Sequence, residues 1–183
     1  MDRIIRSVRG QADLKHSLDF VETVFAESEG KESGATVRRL VEEIRSKQYY
    51  LPELELIMVD EADLIIGYAM FSRFHIEGRY EQELLLLSPV AVKTELQRQH
   101  ISKELLEYGF EKAKKLGYKA ILVEGNPRNY NPRGFEASYK YKIAAGSNVH
   151  LPSPECLMVK ELEPGALQHI KGTVDYSCYH SLI

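Results

Sequence analysis

The chain has 183 residues, of which 44% are hydrophobic and 28% charged, and it carries a formal net charge of −3. This length and mixture are typical of one globular domain, here residues 1–183, and no apolar run is long enough to cross a bilayer, so we expect no membrane partner. The slightly acidic balance excludes the basic surface that nucleic-acid binding favours, and the amino terminus lacks the apolar stretch of a signal peptide, so we expect a cytoplasmic protein without nucleic-acid partners.

The first part of the chain predicts a strand followed by two helices. The short strand is expected at 4–8. Apolar residues then recur at steps of three and four from Leu14 to Phe25, which is the period of a half-buried helix. The polar, glycine-containing stretch 27–34 predicts a break, and the same period restarts at 37–44, which predicts a second helix.

Three β-rich runs follow these helices. The runs at 56–59 and 64–74 flank the short acidic segment 60–63, and this arrangement predicts a β-hairpin. The third run covers 84–92 and follows a charged turn. We therefore expect three consecutive strands in the middle of the chain.

The second half of the chain predicts one long helix and several short strands. From Ile101 an apolar stripe with helical period leads to Lys114, Lys115 and Gly117, the cations and the glycine that are typical of a helix carboxyl terminus. A loop rich in Gly, Asn and Pro is expected at 125–134, and strands are expected at 120–123, 138–143 and 156–160. The order of the elements predicts an α/β fold with a mixed sheet.

The segment between the third run and the long helix is the most informative. Pro89 lies in the middle of the run and cannot donate a hydrogen bond to a neighbouring strand, so we expect a bulge or a local loss of pairing that opens the sheet there. Residues 98–102 lie where the long helix begins, and N–H groups at a helix start attract anions. A ligand with phosphates and a long arm, such as pantetheine carrying a pyrophosphate, has a shape that suits this pair of features.

Three segments also carry motif-like sequence. The segment 87–92 followed by 96–102 resembles a strand ending in L-A-V and then Q-x-x-G-x-G/A, the acyl-CoA signature of the GNAT superfamily of N-acyltransferases. The segment 116–135 resembles the next strand and loop of a bacterial branch of predicted N-acetyltransferases, and the tail at 163–174 resembles the carboxyl-terminal stretch of that branch. His100 and Ser102 stand where the family prefers glycine.

The resemblance implies a fold, a cofactor and a binding site. The implied fold is GNAT-like, with a mixed, mostly antiparallel sheet that is flanked by helices and splayed at its central strands. The implied acyl donor is acetyl-CoA, bound without a metal ion. The residues that the resemblance assigns to cofactor binding are Val90, Ala91, Val92, Gln97, Arg98, Gln99, His100, Ile101, Ser102, Lys103, Asn126 and Tyr130.

The implied reaction is the transfer of an acetyl group from the thioester to a primary amine of a small molecule or peptide. An ammonium must lose a proton before it attacks, and Glu83 and Glu124 are the candidate bases, although Glu83 also suits an ordinary surface position on a strand. Backbone N–H groups near 90–92 would stabilise the oxyanion. Tyr130 matches the family tyrosine that donates a proton to the departing thiolate; a packed aromatic in the loop is the alternative.

Other sites find little support in the sequence. The six histidines show no metal-ligand spacing, so no metal site is expected. Cys156 and Cys178 form no CxxC pair and require no disulfide. A catalytically inactive acyl-CoA-binding sensor or partner domain remains the alternative function, and the sequence leaves a homodimer open.

Overall fold

The computed structural model describes residues 2–183, which divide into two compact units. The first unit contains the described residues up to Phe71 together with Pro89–Lys112, and the second contains Ser72–Ser88 and Ala113–Ile183. Within the described part of the chain, no helix combines the length and the apolar composition needed to cross a membrane.

The first unit contains an antiparallel sheet and three helical segments. Its elements are β1 (Ile4–Ser7), α1 (Gly10–Glu29), α2 (Lys31–Arg45), β2 (Glu55–Val59), β3 (Ile65–Arg73) up to Phe71, the end of β4 (Leu84–Val92), and α3 (Ile101–Lys115) up to Lys112. The strand order is β1-β2-β3-β4, and β2 is antiparallel to both β1 and β3. The strands and helices predicted for this part of the chain are therefore confirmed.

The break predicted at 27–34 is shorter than expected. α1 continues to Glu29 and α2 begins at Lys31, so Gly30 alone interrupts the helices, with φ at 102°. The polar residues of this stretch are solvated on the helix surface and do not end the helix. Glycine ends it because positive φ costs a residue without a side chain very little.

The predicted hairpin is confirmed, with an aspartate at its turn. The Asp60 side chain accepts hydrogen bonds from the N–H groups of Ala62 and Leu64, at 2.9 and 3.0 Å. Asp63 adopts a φ of 60° between them. Aspartate favours such turns because its side-chain oxygens accept hydrogen bonds from N–H groups that have no backbone acceptor in the turn.

A buried ion pair, which the sequence pattern does not predict, connects α2 to the sheet. Glu55 on β2 has no exposed surface, and its Oε2 accepts hydrogen bonds from Nε and Nη2 of Arg45 at 2.9 and 2.7 Å. The hydroxyls of Tyr50 and Tyr68 donate to the same carboxylate, each at 2.5 Å. Burial, with Glu55 beside it, raises the pKa of Tyr68, so this hydroxyl remains a donor. The carboxylate is fully paired, as buried charges must be.

Two glycines allow α3 to approach the sheet closely. A Cβ atom on Gly67 of β3 would lie 3.1 Å from the Ile101 side chain, and one on Gly109 of α3 would lie 2.4 Å from the Phe71 ring. The first residue of α3 is therefore fixed against β3, and the segment that precedes the helix has a rigid support.

The second unit contains the rest of the sheet and the carboxyl-terminal segment. Its elements are the start of β4, β5 (Ala120–Glu124), α4 (Pro127–Tyr130), β6 (Glu136–Ala137), β7 (Ile143–Ala145), β8 (Leu157–Glu161) and β9 (Gly172–Val174). The strand order is β4-β5-β8-β6, with β4 parallel to β5 and the other pairs antiparallel. β7 and β9 form a separate parallel pair. The prediction of an α/β fold with a mixed, mostly antiparallel sheet flanked by helices is confirmed.

The strand predicted at 138–143 is wrong. Residues Ser138–Tyr141 form a 3-10 turn, which ends at Lys142 with a φ of 60°. The Ser138 hydroxyl donates to the carbonyl of Ile143 at 2.9 Å and holds the turn closed. The aromatic residues of this stretch favoured a strand locally, but a side chain to backbone hydrogen bond competes with strand pairing.

Candidate functional site

β4 and β5 separate before either strand ends. Their register joins residues 84–86 to residues 120–122, whereas β5 stays paired with β8 as far as Glu124, which is opposite Leu157. The last two residues of β5 therefore have no partner on β4 in this register. The sheet opens as predicted, but the opening begins directly after Leu86, before the chain reaches Pro89.

β4 also carries an extra residue relative to β3. At one end of the two strands, the Phe74 N–H donates to the Leu84 carbonyl at 3.1 Å, and at the other the Lys93 N–H donates to the Ile66 carbonyl at 2.9 Å. Eight residue steps on β3 thus match nine on β4, which identifies a β-bulge on β4. A bulge is what Pro89 is expected to cause, because it has no N–H to donate.

In the first unit, the segment from Val92 to Ile101 is fixed at several points. The Gln97 side chain donates to the Val92 carbonyl at 3.3 Å and thereby closes the turn between β4 and α3. The hydroxyl of Thr94 donates to Glu27 of α1. Ile101 is buried against Gly67. Residues 97–100 between these points are exposed but are connected to a rigid frame.

Two residues of this segment adopt the left-handed conformation. Arg98 has a φ of 64° and His100 a φ of 65°. A residue with a Cβ is strained in this region and glycine is not, which agrees with the glycine preference that the motif resemblance implies at the position of His100. The first α3 hydrogen bond runs from Glu104 to the His100 carbonyl, so the helix provides no acceptor for the N–H groups of Ile101 and Lys103.

The conformation and charge of this segment suit an anion. A left-handed residue followed by a right-handed one turns successive N–H groups to one side, and this arrangement binds phosphates in many proteins. Arg98 and His100 are exposed, and their side chains have no hydrogen bond or ion pair with other residues in the range 2–183. Lys103 is exposed on the first turn of α3. A pyrophosphate fits this donor set, and Val90, Ala91, Val92, Gln99 and Ser102 lie in the same unit.

In the second unit, a carboxylate and a tyrosine lie together at the open end of β5. Glu124 is the last residue of β5, and a Cβ atom on the following Gly125 would lie 2.6 Å from the Tyr130 ring. Tyr130 at the end of α4 therefore packs directly over Gly125. Its ring also contacts Phe135 edge to face, with ring centroids 5.6 Å apart.

The Tyr130 hydroxyl is a proton donor without a partner in the described chain. No hydrogen bond joins it to another residue between positions 2 and 183. Burial raises the pKa of Tyr130 to about 12, so the hydroxyl stays protonated at neutral pH. The arrangement is suited to donating a proton to an anionic leaving group.

Asn126 has a structural contact in this loop. Its Oδ1 accepts a hydrogen bond from the Arg128 N–H at 3.0 Å and caps α4, while Pro127 occupies the first position of the helix. Asparagine before proline is a favoured helix start. The predicted contact of Asn126 with a cofactor remains a prediction.

Glu83 lies at the opposite end of the paired strands from Glu124. Its carboxylate is 2.9 Å from Nε2 of His169 and 3.3 Å from Nζ of Lys119. The hydrogen bond from His169, together with Lys119, lowers the pKa of Glu83. Glu83 precedes β4, next to the residues where β4 and β5 are still paired, whereas Glu124 is at the end where they separate.

Sequence reasoning did not identify Tyr176 and gave His169 no role. The Tyr176 hydroxyl donates to Oε1 of Glu124 at 2.8 Å, across 52 positions of the chain. No local sequence pattern predicts such a contact.

No group of three or more His, Cys, Asp or Glu side chains is placed to hold a metal ion within the part of the chain that the structure describes.

A family model agrees with these features. The model of the acetyltransferase (GNAT) family matches residues 20–135, which include the loop before α3 and the end of β5. This chain belongs to the GNAT family. The resemblance in the motifs of β4, α3 and β5 is therefore confirmed.

Several bacterial proteins are similar to this GNAT chain. An uncharacterized N-acetyltransferase, YhbS of Escherichia coli strain K12, is 26% identical over 139 residues, which cover 75% of this chain and 79% of YhbS. The crystal structure of YhbS from Escherichia coli with CoA matches with a TM-score of 0.82 and 23% identity over 97% of this chain and 89% of that chain. An acetyltransferase of the GNAT family from Brucella melitensis, in complex with acetyl-CoA, matches with a TM-score of 0.63 and 23% identity, over 74% and 84% of the two chains.

Proposed function

We propose that this chain transfers an acetyl group from acetyl-CoA to a primary amine of a small molecule or peptide. The observation that carries the proposal is the segment 97–103, where left-handed Arg98 and His100 precede α3. Membership of the GNAT family supports the reaction class, and solved relatives with CoA or acetyl-CoA support the donor.

The loop before α3 would bind the pyrophosphate of the donor. The N–H groups at the start of α3 supply hydrogen bonds, and Arg98 adds a charge-assisted one. The acetyl thioester supplies the activated carbonyl. Backbone N–H groups near Val90–Val92 would stabilise the oxyanion, and the bulge on β4 supports this role because it takes N–H groups out of regular strand pairing.

The residues at the open end of β5 would move the protons. An ammonium has a pKa of about 10.4, so the acceptor must lose a proton before it attacks. We assign this step to Glu124 in preference to Glu83, because the Lys119 ammonium and the His169 ring already hold the Glu83 carboxylate. Tyr130 would donate its proton to the departing thiolate, and its raised pKa keeps that proton available.

The direct test measures both binding and turnover. Calorimetric titration of the purified chain with CoA gives the affinity, and release of free thiol from acetyl-CoA in the presence of a panel of primary amines gives the turnover. We expect micromolar binding and turnover with at least one amine, reduced about 100-fold or more in Tyr130→Phe. Tight CoA binding without turnover would support a catalytically inactive acyl-CoA sensor instead.

A matched pair of variants tests the site of binding. Arg98→Ala is expected to weaken CoA binding about tenfold or more, because a hydrogen bond to a charged group contributes about 1.5–3 kcal/mol. Arg39→Ala removes another exposed arginine, on α2, and is expected to leave the affinity unchanged. Equal affinities for all three proteins would contradict the assignment of the loop.

A further inference from the structure

The carboxyl-terminal segment places a buried tyrosine against the carboxylate at the end of β5. Tyr176 is only 2% exposed, and its hydroxyl donates to Oε1 of Glu124 at 2.8 Å. Oε2 of Glu124 has no hydrogen-bond partner among residues 2–183, and the residue is otherwise exposed. One oxygen is thus held, and the other is left to accept a proton.

Several contacts fix the position of Tyr176. Its N–H donates to Oδ1 of Asn148 at 3.1 Å, and its ring packs edge to face on Phe74, with ring centroids 6.4 Å apart. Three residues further on, the Tyr179 hydroxyl donates to the backbone carbonyl of Arg73 at 3.0 Å and lies 3.2 Å from the Ser72 hydroxyl. The hydroxyl that reaches Glu124 therefore belongs to a rigid, well-anchored side chain.

The Tyr176 hydroxyl is a permanent donor in this contact. Burial and the negative charge of Glu124 raise the pKa of Tyr176 well above its ordinary value, so the phenol does not ionise in the working range. A buried hydroxyl that loses its only hydrogen-bond partner costs free energy. The Glu124 carboxylate is therefore held in the orientation that keeps this hydrogen bond. A carboxylate on an exposed strand end would otherwise rotate freely about its side-chain bonds.

We propose that Tyr176 is a positioning residue that holds Glu124 with Oε2 directed to accept the proton of the acceptor amine. This inference rests on the proposed function and adds a residue from the carboxyl-terminal segment to it. In the step, the ammonium N–H bond breaks, its electron pair stays on nitrogen, and the proton bonds to Oε2. When the tetrahedral intermediate collapses, the C–S bond and a second N–H bond break. The thiolate takes the Tyr130 proton, the second nitrogen proton replaces it on Tyr130, and the proton on Oε2 passes to solvent. Tyr176 keeps its own proton throughout and touches no reacting atom.

The test is a double-mutant cycle on turnover. Kinetic constants are measured by thiol release for the wild type, Tyr176→Phe, Glu124→Gln and the double variant, with the CoA affinity of each determined by calorimetry. We expect Tyr176→Phe to lower kcat about tenfold and Glu124→Gln about 100-fold or more, with CoA affinity unchanged in both. In the double variant kcat should equal that of Glu124→Gln, because Tyr176 acts through Glu124.

Tyr179→Phe is the matched control. It removes a buried hydroxyl from the same segment and lowers stability without a contact to Glu124, so its kcat in the folded state should stay within about twofold of the wild type. Thermal midpoints show how much of each variant is folded. If Tyr176→Phe does not fold, Tyr176→Met, which keeps a flexible apolar side chain without the hydroxyl, takes its place in the cycle.

Three outcomes would overturn the inference. If Tyr176→Phe lowers kcat by the same factor in the wild type and in the Glu124→Gln background, the role of Tyr176 is structural. A Glu124→Gln variant as active as the wild type would remove Glu124 as the base, and wild-type turnover would still support the proposed function. Absence of turnover by the wild type with every amine, despite CoA binding, would contradict the proposed function and the inference with it.

Discussion

Gly125→Ala tests whether the position of the Tyr130 hydroxyl controls turnover. The added methyl group would lie 2.6 Å from Cε2 of the tyrosine ring, whereas ordinary contact begins at 3.4 Å, so the ring must retreat by about 0.8 Å. The φ of Gly125 lies outside the left-handed region, so alanine adds no backbone strain there. The ring cannot shift without loss, because it also packs edge to face on Phe135.

A displacement of about 1 Å in a reacting group commonly costs about 100-fold in rate. We therefore expect Gly125→Ala to lower kcat roughly 10- to 100-fold, while overpacking costs about 1–3 kcal/mol of unfolding free energy. Thiol release measures kcat, and urea unfolding measures the stability. In a Tyr130→Phe background, which lacks the hydroxyl, Gly125→Ala should change kcat by less than twofold. Wild-type kcat in Gly125→Ala, or the same loss in both backgrounds, would refute the reasoning.

Three further predictions follow from the first unit. His100→Gly removes the strain of the left-handed φ, about 1–2 kcal/mol, but makes the unfolded chain more flexible, which costs a comparable amount. Its thermal midpoint should therefore change little, and its CoA affinity, measured by calorimetry, should be equal or tighter. A tenfold weaker affinity would show that the imidazole itself binds. Glu55→Gln leaves the buried Arg45 without its charge partner and should cost about 3–5 kcal/mol in urea unfolding; a loss below 1 kcal/mol would contradict this. Hydrogen bonding to Arg6 lowers the pKa of Asp13 below 3.8, so its contribution to stability is complete above about pH 4 and is lost as the pH falls below that value. Asp13→Asn should therefore lose stability at pH 7 and show a weaker dependence on pH below 4, which thermal melts across this range can check.

The sequence alone determined most of the elements of this protein. The strand 84–92 was predicted with the bounds that the structure has, and the helix that begins at Ile101 was predicted with its start and its carboxyl-terminal Gly117. These predictions succeed because hydrophobic period, turn residues and end-capping residues act over short stretches of chain. The turn at 138–141 was missed because its geometry depends on one side-chain hydrogen bond.

The candidate site divides in the same way. The family motif identified Arg98, His100 and Tyr130, and the end of the predicted strand 120–123 identified Glu124 as a candidate base, because all four lie within ordered local segments of the chain. The left-handed conformation of the loop before α3 could only be observed, because backbone dihedrals there depend on how α3 is fixed to β3.

Tertiary structure alone decided which carboxylate has which partners. Glu83 and Glu124 are equivalent candidates in the sequence, but His169 and Lys119 hold the first, and Tyr176 holds the second by a single oxygen. These partners lie tens of residues away along the chain. Long-range contacts of this kind form only when the whole unit packs, so local patterns in the amino-acid sequence do not predict them.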